Sequence, residues 1–165
     1  MTHIVAPLEF SLQSTNGGIA TAADFRGKVT MMYFGYTHCP DICPTTLAKL
    51  VDVVHQMGPQ AEDVRVLFVT MDPARDTIPV LRAYVDAFDA VHFVGLRGDA
   101  KETAGIARRY RVGYTLSKPD ASGNYEVGHS TAVFIFDTNG NARLLGTETT
   151  PSADYVADIK RLLPR

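Results

Sequence analysis

Apolar residues follow two patterns along the chain, and each pattern predicts one kind of element. Apolar runs rich in β-branched and aromatic residues are typical of buried strands, and they occupy residues 29–36, 65–71, 92–96 and 132–136. Apolar residues three and four positions apart are typical of helices, and they occupy residues 44–57, 77–88, 103–110 and 150–162. Strands that alternate with helices and end in a hairpin and a last helix predict an α/β sheet covered on both faces.

Turn residues add three further predictions to this order. Asn16-Gly17-Gly18 is predicted to close an N-terminal hairpin, and Asn139-Gly140 to join the strand at 132–136 to one at 143–146. Residues 111–128 are predicted to form a hairpin or a long loop. The second helix is predicted to bury the set Val80, Leu81, Tyr84, Val85 and Phe88. The whole order resembles a thioredoxin fold with a central mixed sheet, an N-terminal extension and an inserted hairpin or loop.

Composition and charge narrow the class of protein without changing this fold. The chain has 165 residues, which suits one domain, and its 45% hydrophobic and 21% charged shares are ordinary for a globular protein. The formal net charge of −2 argues against a nucleic-acid-binding surface. No apolar run approaches the roughly 20 residues that span a bilayer, and the opening segment does not read as a signal peptide as it stands.

The two cysteines of the chain are the first candidates for chemistry. Cys39 and Cys43 follow the first central strand, where the next helix is predicted to begin. Ligands of open α/β sheets bind at the carboxyl ends of strands, and a helix N-terminus favours a thiolate over a thiol. Four positions of separation place both sulfur atoms on one face of a helical turn, where they can bind one metal ion or close a disulfide. On this evidence alone, redox chemistry and metal binding both stay open.

A third ligand distinguishes between metals, and His129 is the best candidate. In a thioredoxin-like fold the loop before the strand at 132–136 lies against the cysteine pair and carries a cis-proline. The segment VGHSTA has no proline and offers an imidazole instead. Two thiolates and one imidazole make an incomplete zinc site but a suitable copper site. The alternative is a polar loop histidine in contact with solvent.

Other polar residues near the cysteines have plainer interpretations. His38 is expected to point away from the pair, and Asp41 to cap the helix rather than to act as a weak oxygen ligand. Asp72 and Asp76 lie in DPARDT, after the second strand. These two residues are predicted either to lie near the cysteines or to form an Asp-Pro turn with a helix cap, and both interpretations stay open.

Three segments resemble the Sco/SenC family of copper proteins: YFGYTHCPDICPTTL, VTMDPARDT and GHSTAVFIFDTNG. The resemblance covers most of the chain and implies a single thioredoxin-like domain over residues 1–165. It also implies that copper, as Cu(I) or Cu(II), binds to Cys39, Cys43 and His129. One departure is Gly128, which stands where the family often has an aspartate before the ligand histidine, and which keeps a role in redox defence or regulation open.

The resemblance further implies a role, partners and a location. The family assists assembly of the copper centre of cytochrome c oxidase, by copper delivery, by thiol reduction of the target cysteines, or by both. The expected partners are a copper-accepting oxidase subunit or another copper chaperone, and a thiol reductant such as a thioredoxin-like protein. The domain is expected in the periplasm or facing outward on the inner membrane, through an anchor or signal that this sequence does not include.

Two alternative functions use the same residues. A thiol–disulfide oxidoreductase would act through the Cys39–Cys43 pair, although the spacing is one residue longer than the usual C-x-x-C and so favours metal binding. A peroxidase of the peroxiredoxin type would need an arginine and a threonine around a reactive cysteine. Thr37 is near the pair in sequence, but the sequence does not place an arginine there.

Overall fold

The computed structural model describes residues 5–39, 42–113, 115–122, 127–128 and 132–164, with only the backbone described at 42–43, 115–116 and 127–128. The strands are β1 Ser11–Ser14, β2 Ile19–Thr21, β3 Val29–Gly35, β4 Val64–Thr70, β5 Phe93–Arg97, β6 Thr115–Leu116, β7 Val127–Gly128, β8 Val133–Phe136 and β9 Ala142–Gly146. The α-helices are α1 Ile42–Gln56, α2 Ile78–Asp89, α3 Ala100–Arg109 and α4 Ser152–Leu162. Short 3-10 helices cover Ala22–Phe25 and Gly58–Asp63.

Seven strands form one mixed sheet in the order β2-β1-β5-β4-β3-β8-β9. Strands β3, β4 and β5 run parallel, and β8 runs antiparallel to β3 with Val133 opposite Tyr33. Strands β6 and β7 pair separately, which confirms the predicted hairpin within residues 111–128. The hairpins at β1–β2 and β8–β9 also form as predicted.

Strand β3 lies at the centre of the sheet, and all seven of its residues are buried. Successive side chains of a strand point to opposite faces, so both faces of the sheet are covered at this strand. Helix α1 packs against both α4 and α2. The prediction of a mixed sheet flanked by helices is therefore confirmed.

Local sequence explains most helix boundaries. Asp99 accepts a hydrogen bond from the N–H of Glu102 at 2.7 Å, and Glu102 accepts one from the N–H of Asp99 at 3.0 Å, so a capping box starts α3. Helix α3 ends in a Schellman motif, because Val112 donates to Ala107 and Arg111 donates to the carbonyl of Arg108. The left-handed position of this motif is taken by Arg111, with φ of 56°, rather than by glycine.

Two details of the predicted helices were wrong. Val80 is 42% exposed, because the buried stripe of α2 runs through Leu81 and Val85 and leaves Val80 outside it. Helix α1 begins at Ile42 rather than at Pro44, since a proline fits anywhere in a first turn and does not mark the first residue.

Candidate metal centre

The candidate site lies at one edge of the sheet, where β3 and β4 end together. The two strands are parallel and pair Gly35 with Thr70, so the chain leaves both at the same edge. After β3 the chain forms a turn in which the N–H of Cys39 donates to the carbonyl of Tyr36 at 3.2 Å. Helix α1 starts at Ile42, so Cys39 precedes the helix and the backbone of Cys43 lies in its first turn. This backbone arrangement is the one that the sequence predicted.

Cys39 is 8% exposed and belongs to the main hydrophobic core. Tyr36, which precedes it in the turn, is also buried, and the guanidinium carbon of Arg75 lies 5.9 Å from the centre of the Tyr36 ring. This distance allows a cation–π contact between the segment after β4 and the segment after β3. The thiol therefore lies between an apolar interior and a rim of polar groups.

The carboxylate of Asp76 joins the two segments at this edge. Thr37 donates to Asp76 twice, from its backbone N–H to Oδ2 at 3.0 Å and from its hydroxyl to Oδ1 at 2.6 Å. The hydroxyl of Thr70 donates to Oδ2 at 2.6 Å. Asp76 is 0% exposed, the hydrogen bond from Thr70 is fully buried, and the two from Thr37 are partly buried. Buried hydrogen bonds to a charged acceptor are among the stronger ones in proteins.

Asp72 occupies the other side of the same network. Its carboxylate forms an ion pair with Arg75, and its N–H donates to the hydroxyl of Thr70 at 3.0 Å. His38, Asp72 and Asp76 offer ligand atoms that all lie within 4.8 Å of one another. Each carboxylate is already hydrogen-bonded or ion-paired within the protein, and copper favours sulfur and nitrogen ligands. We therefore do not interpret this cluster as the copper site.

The structure resolves the open question about Asp72 and Asp76. Both residues lie beside the turn that carries Cys39, as one of the two interpretations predicted: Asp76 accepts a hydrogen bond from Thr37, and Asp72 offers an oxygen within 4.8 Å of a ring nitrogen of His38. Thr77 is the N-cap residue of α2, but its side chain makes no capping hydrogen bond. Thr70 was not selected from the sequence, although a hydroxyl at the end of the apolar run 66–69 was a visible signal.

Among the histidines in the described ranges, His38 is the one that lies in the cysteine turn itself. Its ring is 48% exposed, with Nδ1 3.2 Å from the Thr37 hydroxyl and 3.9 Å from Asp76. His55 is exposed on α1, and His92 contacts Asp89 before β5.

Two predicted site residues, His129 and Asp41, lie outside the described residues, as does the side chain of Cys43. The register of β8 nevertheless constrains the topology. Val133 is paired with Tyr33, so β8 enters the sheet at the edge where β3 ends. His129 comes four positions before Val133, a backbone reach of at most about 14 Å. The ligand set of Cys39, Cys43 and His129 stays a prediction.

Comparison with known proteins adds a family and copper-bound relatives. The family model described as SCO1/SenC matches residues 4–164. The chain is 42% identical over 134 residues to the mitochondrial SCO2 homolog of Bos taurus, covering 80% of this chain and 50% of that protein. It therefore spans about half the length of this curated relative.

Two solved structures are also similar. The structure of Bradyrhizobium japonicum ScoI with copper bound is 35% identical, covers 98% of this chain and 100% of that one, and superposes with a TM-score of 0.87. The structure of BsSco is 22% identical, covers 98% of each chain, and has a TM-score of 0.72. BsSco is described as having a disulfide switch and as a member of the Sco family of cytochrome c oxidase assembly proteins. At that identity it supports the fold alone.

Within the described ranges, no helix combines the length and the apolar character needed to cross a bilayer.

Proposed function

This chain belongs to the SCO1/SenC family, and from that premise we propose that it is a copper metallochaperone that holds Cu(I) or Cu(II) through Cys39, Cys43 and His129. The observation that carries the proposal is the position of the cysteine pair. Cys39 lies just before α1 and the backbone of Cys43 lies in its first turn, at the edge of the sheet where β8 enters. The copper-bound ScoI relative supports copper as the cargo.

The chemistry of these three residues suits a carrier. Thiolates are soft ligands that bind Cu(I) well, and an imidazole extends the range to Cu(II). The positive end of α1 favours the thiolate form that binds metal. A site with three protein ligands leaves a position at which an incoming ligand from an acceptor can attach, so copper can be exchanged without first being released to water.

The acceptor that we propose is the copper-accepting subunit of cytochrome c oxidase, or another copper chaperone. A thiol reductant such as a thioredoxin-like protein would keep the cysteine pair reduced, because an oxidised pair has no thiolates to bind the ion. We place the domain in the periplasm or on the outward face of the inner membrane. Family relatives include a mitochondrial protein and a lipoprotein, which is consistent with a compartment outside the cytoplasm.

A second function uses the same pair. Because Cys39 lies just before α1 and the backbone of Cys43 lies in its first turn, the pair is placed to exchange with a disulfide of a target protein. Thiol reduction of the oxidase cysteines is therefore a candidate alongside copper delivery. The peroxidase alternative gains no support from the described residues, because the Thr37 hydroxyl donates to Asp76 and Arg75 is paired with Asp72.

The test is a titration of copper against reduced and oxidised protein, with affinity and the sulfur-to-copper(II) absorption as readouts. We expect about one copper ion per reduced chain and loss of binding on oxidation, since the two sulfur ligands must be thiolates and a disulfide cannot replace them. His129→Ala is expected to weaken Cu(II) binding and change the absorption. His55→Ala is the matched control, because it removes an exposed histidine of α1.

Unchanged Cu(II) affinity and absorption in His129→Ala would refute the ligand assignment. Equal copper binding by reduced and oxidised protein would refute the metallochaperone proposal as a whole. The oxidoreductase function would be favoured instead if the metal-free protein reduced a target disulfide and the rate stayed the same when copper was added.

A further inference from the structure

A fully buried carboxylate next to the cysteine turn has no part in the proposed ligand set. Asp76 comes from the segment that connects β4 to α2, and its own N–H donates to the carbonyl of Asp72 at 2.9 Å. Thr37 and Thr70 supply the three donors to its two oxygens. Burying an ionised carboxylate is costly unless it is well hydrogen-bonded, so the arrangement is specific rather than incidental.

These hydrogen bonds fix the turn that carries Cys39. The turn runs from Tyr36 to Cys39, and Thr37 and His38 are its two central residues. Thr37 is held at both its N–H and its hydroxyl, so neither its backbone nor its side chain can rotate without breaking a hydrogen bond to the buried carboxylate of Asp76. The order extends one residue further, because a hydroxyl that donates to Asp76 can accept a hydrogen bond from Nδ1–H of His38, 3.2 Å away.

We propose that Asp76 is a positioning residue for copper binding, which acts through Thr37 to hold Cys39 in place before the metal arrives. The inference rests on the proposed function, because copper is the ion that the turn would receive. In this proposal Asp76 is not a ligand, because copper favours sulfur and nitrogen ligands and both carboxylate oxygens already accept hydrogen bonds inside the protein. Groups that orient metal ligands from outside the coordination sphere commonly govern affinity, because they reduce the reorganisation that binding requires.

Asp89 offers a control for the possibility that Asp76 contributes only to stability. A similar carboxylate, Asp89, accepts hydrogen bonds from the N–H groups of Val91 and His92 at 2.8 Å and lies 2.9 Å from Nδ1 of His92. The segment from Asp89 to His92 immediately precedes β5, and the first residue of β5, Phe93, pairs with Val66 near the start of β4. This segment therefore lies at the edge of the sheet opposite the cysteines. Asp89 is therefore a matched control: its loss removes a comparable network far from the cysteines.

The experiment compares the wild type with Asp76→Ala, Thr37→Val, Thr37→Ser and Asp89→Ala. Thr37→Val removes the hydroxyl at nearly constant volume, and Thr37→Ser restores it. Copper(II) affinity and the sulfur-to-copper absorption are measured for each. In a Cys43→Ser background, where Cys39 is the only cysteine, the alkylation rate of metal-free protein reports the position of the turn without copper. Thermal midpoints of all variants are recorded alongside.

We expect Asp76→Ala and Thr37→Val to lower copper(II) affinity about tenfold or more and to shift the absorption. Alkylation of the buried Cys39 thiol should be about tenfold faster in both, because the turn opens more often. Thr37→Ser should restore wild-type values, and Asp89→Ala should lower the thermal midpoint alone. Because Thr37→Val keeps the buried carboxylate and two of its donors, it tests the inference even if Asp76→Ala does not fold.

The two proposals fail in different ways. A wild-type protein that binds no copper overturns the proposed function, and the alkylation rates still decide whether Asp76 positions the turn. Copper binding by the wild type, with affinity, absorption and alkylation unchanged in Thr37→Val and in folded Asp76→Ala, overturns the positioning role alone. The positioning role would also be overturned if Asp89→Ala changed copper(II) affinity and absorption as much as Thr37→Val does.

Discussion

Thr70 and Thr30 are buried threonines on neighbouring strands, and replacing each by valine should have opposite effects on stability. The hydroxyl of Thr70 donates to Asp76 at 2.6 Å and accepts from the N–H of Asp72 at 3.0 Å. The hydroxyl of Thr30, on β3, is buried and has no hydrogen-bond partner among the described residues. Valine has nearly the shape of threonine, so each substitution mainly removes the hydroxyl group.

The structure sets the size of the two effects. Thr70→Val removes one hydrogen bond to a charged acceptor, worth about 1.5–3 kcal/mol, and a second from a backbone N–H, worth about 1 kcal/mol. We therefore expect the free energy of unfolding to fall by roughly 2–4 kcal/mol. Thr30→Val removes a buried hydroxyl that carries a desolvation cost of about 1–3 kcal/mol without a compensating partner. We expect this variant to be between unchanged and about 1 kcal/mol more stable.

Urea unfolding of the metal-free, reduced protein measures both effects. With a slope of about 2 kcal/mol per molar urea, the midpoint of Thr70→Val should fall by about 1–2 M at an unchanged slope. Thr30→Val should leave the midpoint equal or raise it. Equal losses of stability in the two variants would refute the reasoning, because they would show that the hydroxyl of Thr70 contributes no more than one without a partner.

Two further predictions concern residues outside the cysteine edge, at the end of α3 and before β5. Arg111→Gly should stabilise the protein by about 0.5–1 kcal/mol in the same urea assay, because glycine relieves the left-handed strain at the end of α3. Arg108→Gly is the control, and it should destabilise the protein by about 1 kcal/mol because this position lies within the helix. Burial alone would raise the pKa of Asp89, but hydrogen bonds from His92 and Val91 outweigh it and hold that pKa below its ordinary value of 3.8. Because the pKa of Asp89 is lower in the folded protein, its ionised form stabilises the protein at pH values above the unfolded pKa, and this stabilisation is lost as the pH falls through the folded pKa. The thermal midpoint of the wild type should therefore drop more between about pH 5 and 2 than that of Asp89→Asn. Equal drops in the two proteins would contradict this prediction.

The central strands could be predicted from the sequence because each is a short apolar run bounded by polar residues. Strand β3 extends from Val29 to Gly35, within one residue of the prediction. Such runs need no knowledge of partners, since a strand buried on both faces is apolar at nearly every position. The exposure of Val80 could not be read in the same way, because a helical stripe identifies its centre better than its margins.

The candidate site was predicted only in part. The position of Cys39 before a helix follows from local order, because a strand end and a helix start are both visible in the sequence. The contacts of Asp76 do not follow from local order, since they join Thr37 to Thr70 across two strands. Those contacts depend on the parallel register that pairs Gly35 with Thr70, and hydrophobic periodicity does not specify register between separate strands.

The pairing of β3 with β8 also determines when the cysteine edge can form during folding. Tyr33 and Val133 are neighbours in the sheet but are one hundred positions apart in the chain. Closing so long a loop is slow compared with forming local helices and hairpins, so the neighbourhood of Cys39 is completed late in folding. During synthesis both thiols are made long before the strand that borders them, and the reduced state of the pair must persist over that interval. An ion that binds only the completed edge would then add its binding energy to the folded state and slow the return to the unfolded one.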